Sequence, residues 1–445
     1  MSKIEPTNEA SAIAEQGGGT AKVEQLIQQY CPDGVEYKSI ESVTKSICSG
    51  LNPRKNFTLN GKGAICYYLT VKEMTTGKIV FSDKTDKITP DAVNTIQNRS
   101  RLETDDILLS GIGTIGKVAI VDIPVDNWNC SESVLLLKPK KEIIYPKYLK
   151  YILEGNETQA YFNSHATGST LKGIRQKDLR THFIPVPPLP VQEEIVRILD
   201  TLTELQAELQ AELQKRKQQY EYYRDKLLSF SDLGNWGGRN VSVEYKKLGE
   251  LGVFYGGLSG KTKDDFSNGN AKFISYKNVF YNLSLNVDTN ERVKIEEGEK
   301  QNTIQYGDIL FTGSSETPDE CGMSSVLTQK TDEKLYLNSF CFGYRLHNPS
   351  LFCLNFLKHL FRSSELRKQI GKTASGTTRF NVSKKRFAEV SIPIPPLSVQ
   401  KQIADILDKF YTLTADLTAG LPAEIEARRK QYEYYRDKLL TFKKK

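Results

Sequence analysis

The sequence has little of what metal centres, disulfide frameworks and membrane segments are made from. It contains four histidines, none at metal-ligand spacing, and seven cysteines without a C-x-x-C pair. We therefore expect reduced core cysteines and no metal site in this chain. No apolar run reaches the roughly 18 residues of a membrane span, and the polar opening MSKIEPTNEASAIAEQGGGT lacks a signal peptide's apolar segment. These absences predict a cytoplasmic protein with a flexible tail over residues 1–19 and no membrane partner.

Motifs of the common catalytic centres are missing as well. No H-E-x-x-H, G-x-S-x-G or paired Cys–His arrangement occurs. The stretch CPDGVEYK (31–38) imitates a metal-dependent nuclease motif, but its acidic residues are too close in sequence to lie on neighbouring strands. A turn followed by an ordinary strand is expected there. The chain is therefore predicted not to be an enzyme.

A glycine-rich stretch, DDILLSGIGTIGKVAI (105–120), matches two nucleotide-binding patterns, G-x-G-x-x-G and nearly G-x-x-x-x-G-K. Both patterns require a helix after the glycine loop, because its N-terminus binds the phosphates. Here KVAIVDIPV comes next and is typical of a strand, and Val118 replaces the hydroxyl residue that holds magnesium. A β-hairpin is predicted, and an enzyme that uses this loop is the disfavoured alternative. Its turn offers two candidate phosphate contacts, Thr114 and Lys117.

The residues that are present indicate a folded protein of more than one domain. The chain has 445 residues, of which 38% are hydrophobic and 26% charged. Its net charge of +7 permits binding to a polyanion without demonstrating it. Nucleic acid is one partner class that this composition allows.

An internal repeat organises the whole sequence. QYEYYRDKLL occurs at 219–228 and again at 431–440, and PVPPLPVQEEIVRILD (185–200) matches PIPPLSVQKQIADILD (393–408) at an offset of 208 residues. Each repeat is a divergent segment of short strands and helices followed by a well-matched helical segment. Helix-like stretches, 145–155 and 351–370, occupy comparable places in the two divergent segments. The pattern predicts two α/β domains in an internal pseudo-twofold repeat.

The matched segments carry the narrow apolar stripe of a coiled coil. The first helix is predicted to start near residue 190, after Pro187 and Pro188. In the second copy, whose stripe includes Ile403, Ile406 and Phe410, Gly420 and Pro422 predict a kink or a break. We expect the two helices to pair antiparallel and to separate the two domains. The residues predicted for this helix pair are Leu202, Leu205, Leu209, Leu213, Tyr220, Tyr223, Leu413, Leu417, Tyr432 and Tyr435.

The predicted organisation has five parts. They are a flexible tail (1–19), a first α/β domain (20–184), a central helix (185–232), a second α/β domain (233–392) and a C-terminal helix (393–445).

Two aligned loops, HATGSTLKGIRQKDL (165–179) and TASGTTRFNVSKKRF (373–387), place hydroxyl residues around a glycine and follow them with basic residues. Such residues suit phosphate oxygens and guanine edges, although a solvated turn that caps a helix explains them as well. The clusters KRK (215–217) and RRK (428–430) are predicted to be solvated helix faces or ion pairs, such as Glu212 with Arg216. The candidate DNA contacts in the aligned loops are Ser169, Thr170, Lys172, Arg175, Thr377, Thr378, Arg379, Lys384 and Lys385.

The alternation of a variable domain with a PxPPLxxQ helix, twice over, resembles the specificity (S) subunit of type I restriction-modification enzymes. The resemblance covers nearly the whole chain and is most specific in the two PxPPLxxQ segments, the two QYEYYRDKLL helices and QQYCPDGVEYK. It implies target-recognition domains that each read one half of a split, asymmetric double-stranded DNA target. It also implies that the helices set the gap and that two methyltransferase subunits and the restriction/translocase subunits join the complex. S-adenosylmethionine, ATP and magnesium would then be bound by those partners, with no cofactor in this chain.

The tetrads TELQ, AELQ and AELQ (203–214) resemble the short spacer repeats of some family members, while GLP (420–422) takes their place in the second copy. A coiled-coil scaffold without DNA specificity is the alternative function, but it gives no reason for two different domains on one repeated frame.

Overall fold

The structure is a computed structural model that describes residues 18–75, 77–168, 172–230, 243–415 and 420–445. The chain forms two compact units. Unit 1 takes the residues up to Gln210 and those from Ile425 onward, and unit 2 takes Ala211–Glu424. Each unit therefore contains parts of both helical segments, and the linear domain boundaries predicted above stay a prediction. Across the described ranges, every helix is too short or too polar to cross a lipid bilayer.

Unit 1 is built on a four-stranded antiparallel sheet in the order β2-β10-β7-β8. A second sheet, β6-β3-β9, pairs β3 with β9 in parallel, and β1–β11 and β4–β5 form two-stranded pairs. The strands are β1 Tyr37–Ser39, β2 Thr44–Ser49, β3 Cys66–Leu69, β4 Met74–Thr75, β5 Lys78–Ile79, β6 Lys87–Ile88, β7 Ile107–Ser110, β8 Val118–Ile120, β9 Trp128–Cys130, β10 Val134–Pro139 and β11 Phe183–Pro185.

The main sheet of unit 1 is buried on both faces because alternate residues of a strand point to opposite sides. Along β10, Leu135 and Leu137 join one hydrophobic cluster, whereas Val134 and Leu136 join another. Helices cover the first face. The helices of the unit are α1 Gly18–Tyr30, α2 Ile40–Val43, α3 Pro53–Asn56, α4 Pro90–Ser100, α5 Pro146–Glu154, α6 Asn156–His165, α7 Gln176–Thr181 and the long α8 Leu189–Leu228, which continues into unit 2.

Unit 2 repeats this plan, with a four-stranded antiparallel sheet in the order β13-β21-β17-β19. A second sheet, β15-β14-β20-β16, pairs β14 with β20 in parallel, and β12 pairs with β24 as β1 does with β11. The strands are β12 Glu244–Lys247, β13 Gly252–Gly256, β14 Ala271–Ile274, β15 Arg292–Val293, β16 Thr303–Ile304, β17 Ile309–Thr312, β18 Ser314–Ser315, β19 Ser324–Val326, β20 Leu335–Leu337, β21 Cys341–Leu346, β22 Ala374–Ser375, β23 Phe380–Val382 and β24 Ser391–Ile394.

The stretch 351–370, predicted as one helix-like piece, is two helices with a break at Phe361–Ser363, and this part of the prediction is wrong. The Ser363 hydroxyl caps the second helix by accepting a hydrogen bond from the Leu366 amide, which favours a new start there. The helices of unit 2 are α9 Leu248–Leu251, α10 Tyr276–Tyr281, α11 Leu354–Leu360, α12 Ser364–Gly371, α13 Lys384–Phe387 and α14 Leu397–Ala415, and α15 Leu421–Leu440 continues into unit 1. Short 3₁₀ turns in the described part of the unit lie at Asp264–Phe266, Pro318–Glu320 and Pro349–Leu351.

The starts and stops of the long helices agree with the sequence patterns. Helix α8 begins at Leu189, as its prolines predict. The second helical segment is interrupted, because Gly420 lies outside helix and α15 starts afresh with Pro422 in its first turn. The predicted break is confirmed. The seven cysteines are free thiols, and five of them are buried, also as predicted.

Burial along the long helices supports most of the predicted stripe and corrects one member. Leu202, Leu209 and Leu213 are buried, and Leu205, Tyr220, Tyr223, Leu413, Tyr432 and Tyr435 are half-buried. Ile406 is 38% exposed, and its neighbour Leu407 is buried instead. The predicted stripe is wrong at this position because α14 packs on the α/β domain of unit 2, so Leu407 joins the domain core. Leu417 lies outside the described residues.

A buried glutamine fastens the start of each long helix to its domain. The Gln192 side chain accepts from the Tyr145 amide at 2.8 Å and donates to the carbonyls of Ile143 and Pro187. In unit 2, Gln400 makes the equivalent three bonds, to Cys353, Leu351 and Pro395. Both side chains are fully buried. These bonds give a physical reason for the glutamine in both PxPPLxxQ motifs.

The two QYEYYRDKLL tails dock in equivalent places. In unit 2 the Asp225 carboxylate accepts bonds from the amide and hydroxyl of Ser364, at the start of α12. In unit 1 Asp437 accepts a bond from the Asn156 side chain, at the start of α6. Each tail therefore fastens to the domain of the opposite repeat.

The long helices run antiparallel within unit 2. Successive contacts join Tyr220 to Tyr411 and Tyr223 to Phe410, with ring centroids 6.3 and 5.4 Å apart, so one helix ascends as the other descends. The predicted fold class, two α/β domains with paired antiparallel helices in an internally repeated chain, is confirmed.

Candidate nucleic-acid interface

The glycine-rich stretch of unit 1 forms the predicted hairpin. Strands β7 and β8 pair antiparallel, with Leu108 opposite Ala119, and a strand rather than a helix comes after the glycines. Gly113 and Gly116 have φ of 83° and 87°, and a Cβ on Gly116 would clash with the Gln159 side chain. The glycines therefore serve a tight turn under a close neighbour, and the nucleotide-binding alternative lacks its structural basis.

The aligned loop of unit 1 lies directly against this turn. The Gly113 amide donates to the Lys172 carbonyl at 2.8 Å, and the Ile174 amide donates to the Gly111 carbonyl at 2.9 Å. The structure thus brings together two groups of candidates that are more than 50 residues apart in the sequence. Thr114, Lys117 and Lys172 are all exposed there, whereas Ser169 and Thr170 lie outside the described residues.

Arg175 is less available than its exposure suggests. Its Nε donates to the Asp178 carboxylate at 2.7 Å, one turn along α7. The hydrogen bond from Arg175 holds the pKa of the Asp178 carboxyl below its usual range. An R-x-x-D spacing at the start of a helix is the sequence signal that predicts this pairing.

A cleft of about 400 Å³, lined by both polar and apolar side chains, opens beside the same loops, and no linear motif indicates it. Asn52, Arg99, Glu132 and Gln176 line it, and the Asn52 amide donates to the Glu132 carboxylate. Arginine, asparagine, glutamine and glutamate are the side chains that read base edges. These residues come from separate segments, which a motif search along the chain does not join.

Unit 2 repeats the pairing of turn and loop. The Val382 amide donates to the Gly313 carbonyl at 2.9 Å, the counterpart of the bond from Ile174 to Gly111. Strand β18, after Gly313, pairs with β23, which pairs in turn with β22. The candidates Thr377, Thr378, Arg379, Lys384 and Lys385 are all exposed.

The basic clusters of the long helices are engaged in pairs along the helix. Arg216 donates to Glu212 at 2.6 Å, as predicted, and Arg429 bridges Glu426 and Glu433. In the part of the chain that the structure describes, no three His, Cys, Asp or Glu side chains gather as a metal site requires.

Comparisons with known proteins agree with this architecture. A sequence model described as "Type I restriction modification DNA specificity domain" matches residues 32–216 and again 240–427. The specificity subunit of the type I restriction enzyme EcoR124I/EcoR124II from Escherichia coli is 38% identical over 267 residues, which cover 58% of this chain and 61% of that protein. S.MpnORF89P of Mycoplasma pneumoniae, also named a type I specificity subunit, is 32% identical over 337 residues, covering 71% of this chain and 88% of that protein.

Solved structures show the same fold at lower identity. A chain from work on complex assembly and conformational transition of the type I R-M system superposes with a TM-score of 0.58 and 18% identity, over 92% of this chain and 98% of that chain. The S subunit of a type I restriction-modification system from M. genitalium superposes with a TM-score of 0.50 and 16% identity, over 92% and 96%. Because the family's sequence model matches most of the chain, in two copies, the chain belongs to the type I restriction-modification DNA specificity family.

Proposed function

We propose that this specificity subunit reads a bipartite, asymmetric double-stranded DNA target, one half with the loops of each unit. The observation that carries the proposal is the recurrence of one paired turn and loop, bonded in the same way in both units, with different exposed side chains. A shared scaffold with divergent tips is what recognition of two unlike half-sites requires.

The exposed hydroxyl and basic residues of these loops are proposed to contact the DNA backbone. In unit 1 these are Thr114, Lys117 and Lys172, and in unit 2 they are Thr377, Thr378, Lys384 and Lys385. Each lysine that neutralises a phosphate releases a counterion, so binding should weaken as salt rises.

The subunit itself is proposed to be non-catalytic and to dock two methyltransferase subunits, with the restriction/translocase subunits joining the complex in the cytoplasm. Tyr222 and Tyr434, the same position in the two QYEYYRDKLL copies, are each 60% exposed. Two identical exposed aromatics support two equivalent partner sites. S-adenosylmethionine, ATP and magnesium are then bound by the partners.

Sequence-specific binding of duplex DNA tests the proposal against the scaffold alternative. The chain is co-expressed with its methyltransferase subunits, and single-molecule sequencing of methylated adenines in the host genome identifies the target. Gel shifts should show binding to that duplex. Binding should be lost when either half-site is scrambled. A scaffold without DNA specificity would give neither a consistent methylated sequence nor salt-dependent duplex binding.

A further inference from the structure

Arg379 lies at the turn between β22 and β23, and the hydrogen-bond donors of its guanidinium are unused among the described residues. The side chain is exposed, and among the described residues it has no ion pair and no hydrogen bond. Its guanidinium carbon lies over the Phe340 ring, 5.4 Å from the ring centroid. This cation–π contact orients the planar fork and leaves its hydrogen-bond donors free.

Phe340 is exposed on a backbone that is firmly held. Its amide donates to the Asn338 side chain at 2.9 Å, and its carbonyl accepts from the Gly313 amide at 2.7 Å. The side chain is nevertheless 56% exposed. A phenylalanine in this position adds little to the core, and its ring face is available to hold the guanidinium of Arg379.

The turn that carries Arg379 is tight as well. Gly376 has a φ of +152°, and a Cβ there would clash with the Arg379 carbonyl oxygen. A rigid turn and a rigid ring together preorganise the guanidinium, which lowers the entropy lost on binding. Lys384 also lies over a ring, that of Phe342, 5.5 Å from its centroid. Its ammonium, like that of Lys385, is a point charge without a planar fork and is suited to phosphates.

The same site differs in unit 1. The carbonyl equivalent to that of Phe340 belongs to Ser133, which accepts from the Gly111 amide. The position aligned with Arg379 is Leu171, which lies outside the described residues, and Arg175, elsewhere in the aligned loop, is already paired with Asp178. An arginine held free by an aromatic ring is thus a feature of the unit 2 loops that the corresponding described residues of unit 1 do not share.

We propose that Arg379 reads a guanine in the half-site of unit 2, by bidentate bonds to O6 and N7, and that Phe340 is its positioning residue. This inference rests on the proposed function, since it requires that unit 2 bind duplex DNA. Bidentate arginine–guanine pairs are the commonest specific contacts in the major groove.

The test uses the full chain with its methyltransferase subunits and a panel of duplexes based on the identified target. In each duplex one guanine of the unit 2 half-site is replaced by 7-deazaguanine, which lacks the N7 acceptor. Wild-type binding should fall at one position. Arg379→Lys keeps the charge but loses the planar fork, and it should weaken binding to the natural duplex on the order of 10-fold. Arg379→Ala, which removes every donor, should weaken binding on the order of 10- to 100-fold and should become insensitive to 7-deazaguanine at that position.

Phe340→Leu tests the positioning role. Phe340→Leu should weaken binding through the same base pair as Arg379→Lys. The double variant should lose less binding free energy than the sum of the losses of the two single variants. Tyr306→Ala is the matched control, because Tyr306 is 53% exposed under Lys330 and precedes the opposite end of β17. Thermal unfolding should show that all the variants are folded.

The outcomes separate the inference from the proposed function. Normal binding by Arg379→Lys, or an equal loss on every duplex, would overturn the guanine assignment while leaving the proposed function intact. Absence of sequence-specific binding by the wild-type complex would overturn the proposed function and the inference with it.

Discussion

The two units share the side-chain contacts that hold their main sheets and differ in the exposed residues beside their aligned loops. Both have a buried aspartate paired with a basic residue of a main-sheet strand, Asp106 with Lys138 in unit 1 and Asp308 with Arg345 in unit 2. At the loops, unit 1 presents a cleft lined in part by Arg99, while unit 2 presents the Phe340 ring under the guanidinium of Arg379. The repeat has therefore kept the framework that holds the loops and varied the chemistry at their surface.

One support shows how far the framework can vary without losing its role. In unit 1 the Gln159 amide donates to the Gly116 carbonyl, and in unit 2 Arg367 donates to the Gly322 carbonyl. The bond in unit 1 joins α6 to the turn before β8, and the bond in unit 2 joins α12 to the turn before β19. The residue type has changed, but the connection has remained.

The largest expected effect tests whether the framework is equivalent in the two units. Gln192→Leu and Gln400→Leu should each destabilise their own unit by about 3 kcal/mol, because each leaves one amide and two carbonyls without a buried partner. Hydrogen exchange of peptides from α5 and α11 measures the two units separately. Gln218→Ala, at an exposed position of α8, is the control. A large effect in one unit alone would show that the glutamines are not equivalent.

The next prediction concerns the support that differs. Arg367 donates to three carbonyls, those of Asp319, Cys321 and Gly322, while Gln159 donates to two. Arg367→Ala should cost about 3 kcal/mol and Gln159→Ala about 1.5 kcal/mol. Urea unfolding checks the order, and equal costs would contradict it.

A smaller effect is expected at acidic pH. Burial alone would raise the pKa of the Asp225 carboxyl, but hydrogen bonds from Arg224 and Ser364 hold it below its usual range. The contribution of the ionised Asp225 carboxylate to the free energy of unfolding is therefore complete above the unfolded-state pKa of about 3.9. It is lost as the pH falls through the lower folded-state pKa. Since Asp225 is partly exposed, Asp225→Asn should cost about 1 kcal/mol at neutral pH.

Acid titration of stability provides the check for Asp225. Asp225→Asn and the wild type should converge in stability at low pH, where the wild-type carboxyl is protonated as well. A difference that persists unchanged to low pH would contradict an ionised Asp225. Asp437→Asn is the matched comparison in unit 1.

The change expected to affect the two recognition surfaces least is a deletion in the tetrads of α8. Deleting one AELQ (211–214) shortens α8 by about 6 Å and rotates the rest of the helix by about 40°. Because duplex rise is about 3.4 Å per base pair, the methylated target should change its gap by one or two base pairs and keep both half-sites. Methylation sequencing of the deletion strain checks this, and an unchanged gap would contradict the proposed spacer.

The repeat and the helix boundaries could be predicted from sequence because they depend on local signals. Prolines, a glycine and the 3.6-residue period fix where α8 and α15 begin, and Val118 with its β-branched neighbours predicts the hairpin. The cleft around Arg99 and the role of Phe340 could not be predicted, since both depend on contacts between residues far apart in the chain. The error at Ile406 has the same origin, because a helical stripe does not tell whether a helix packs on another helix or on a domain.

Because the second QYEYYRDKLL tail docks on the domain of the first repeat, unit 1 contains residues from both ends of the sequence. Leu439 and Leu440 belong to the core of unit 1, and the Val35 amide bonds to the carbonyl of Lys443. The part of this unit up to Gln210 therefore leaves the ribosome long before the residues from Ile425 onward that complete it, whereas unit 2 is continuous in the chain. Unit 2 can close first, and unit 1 must keep its apolar surface protected until the residues from Ile425 onward have been made.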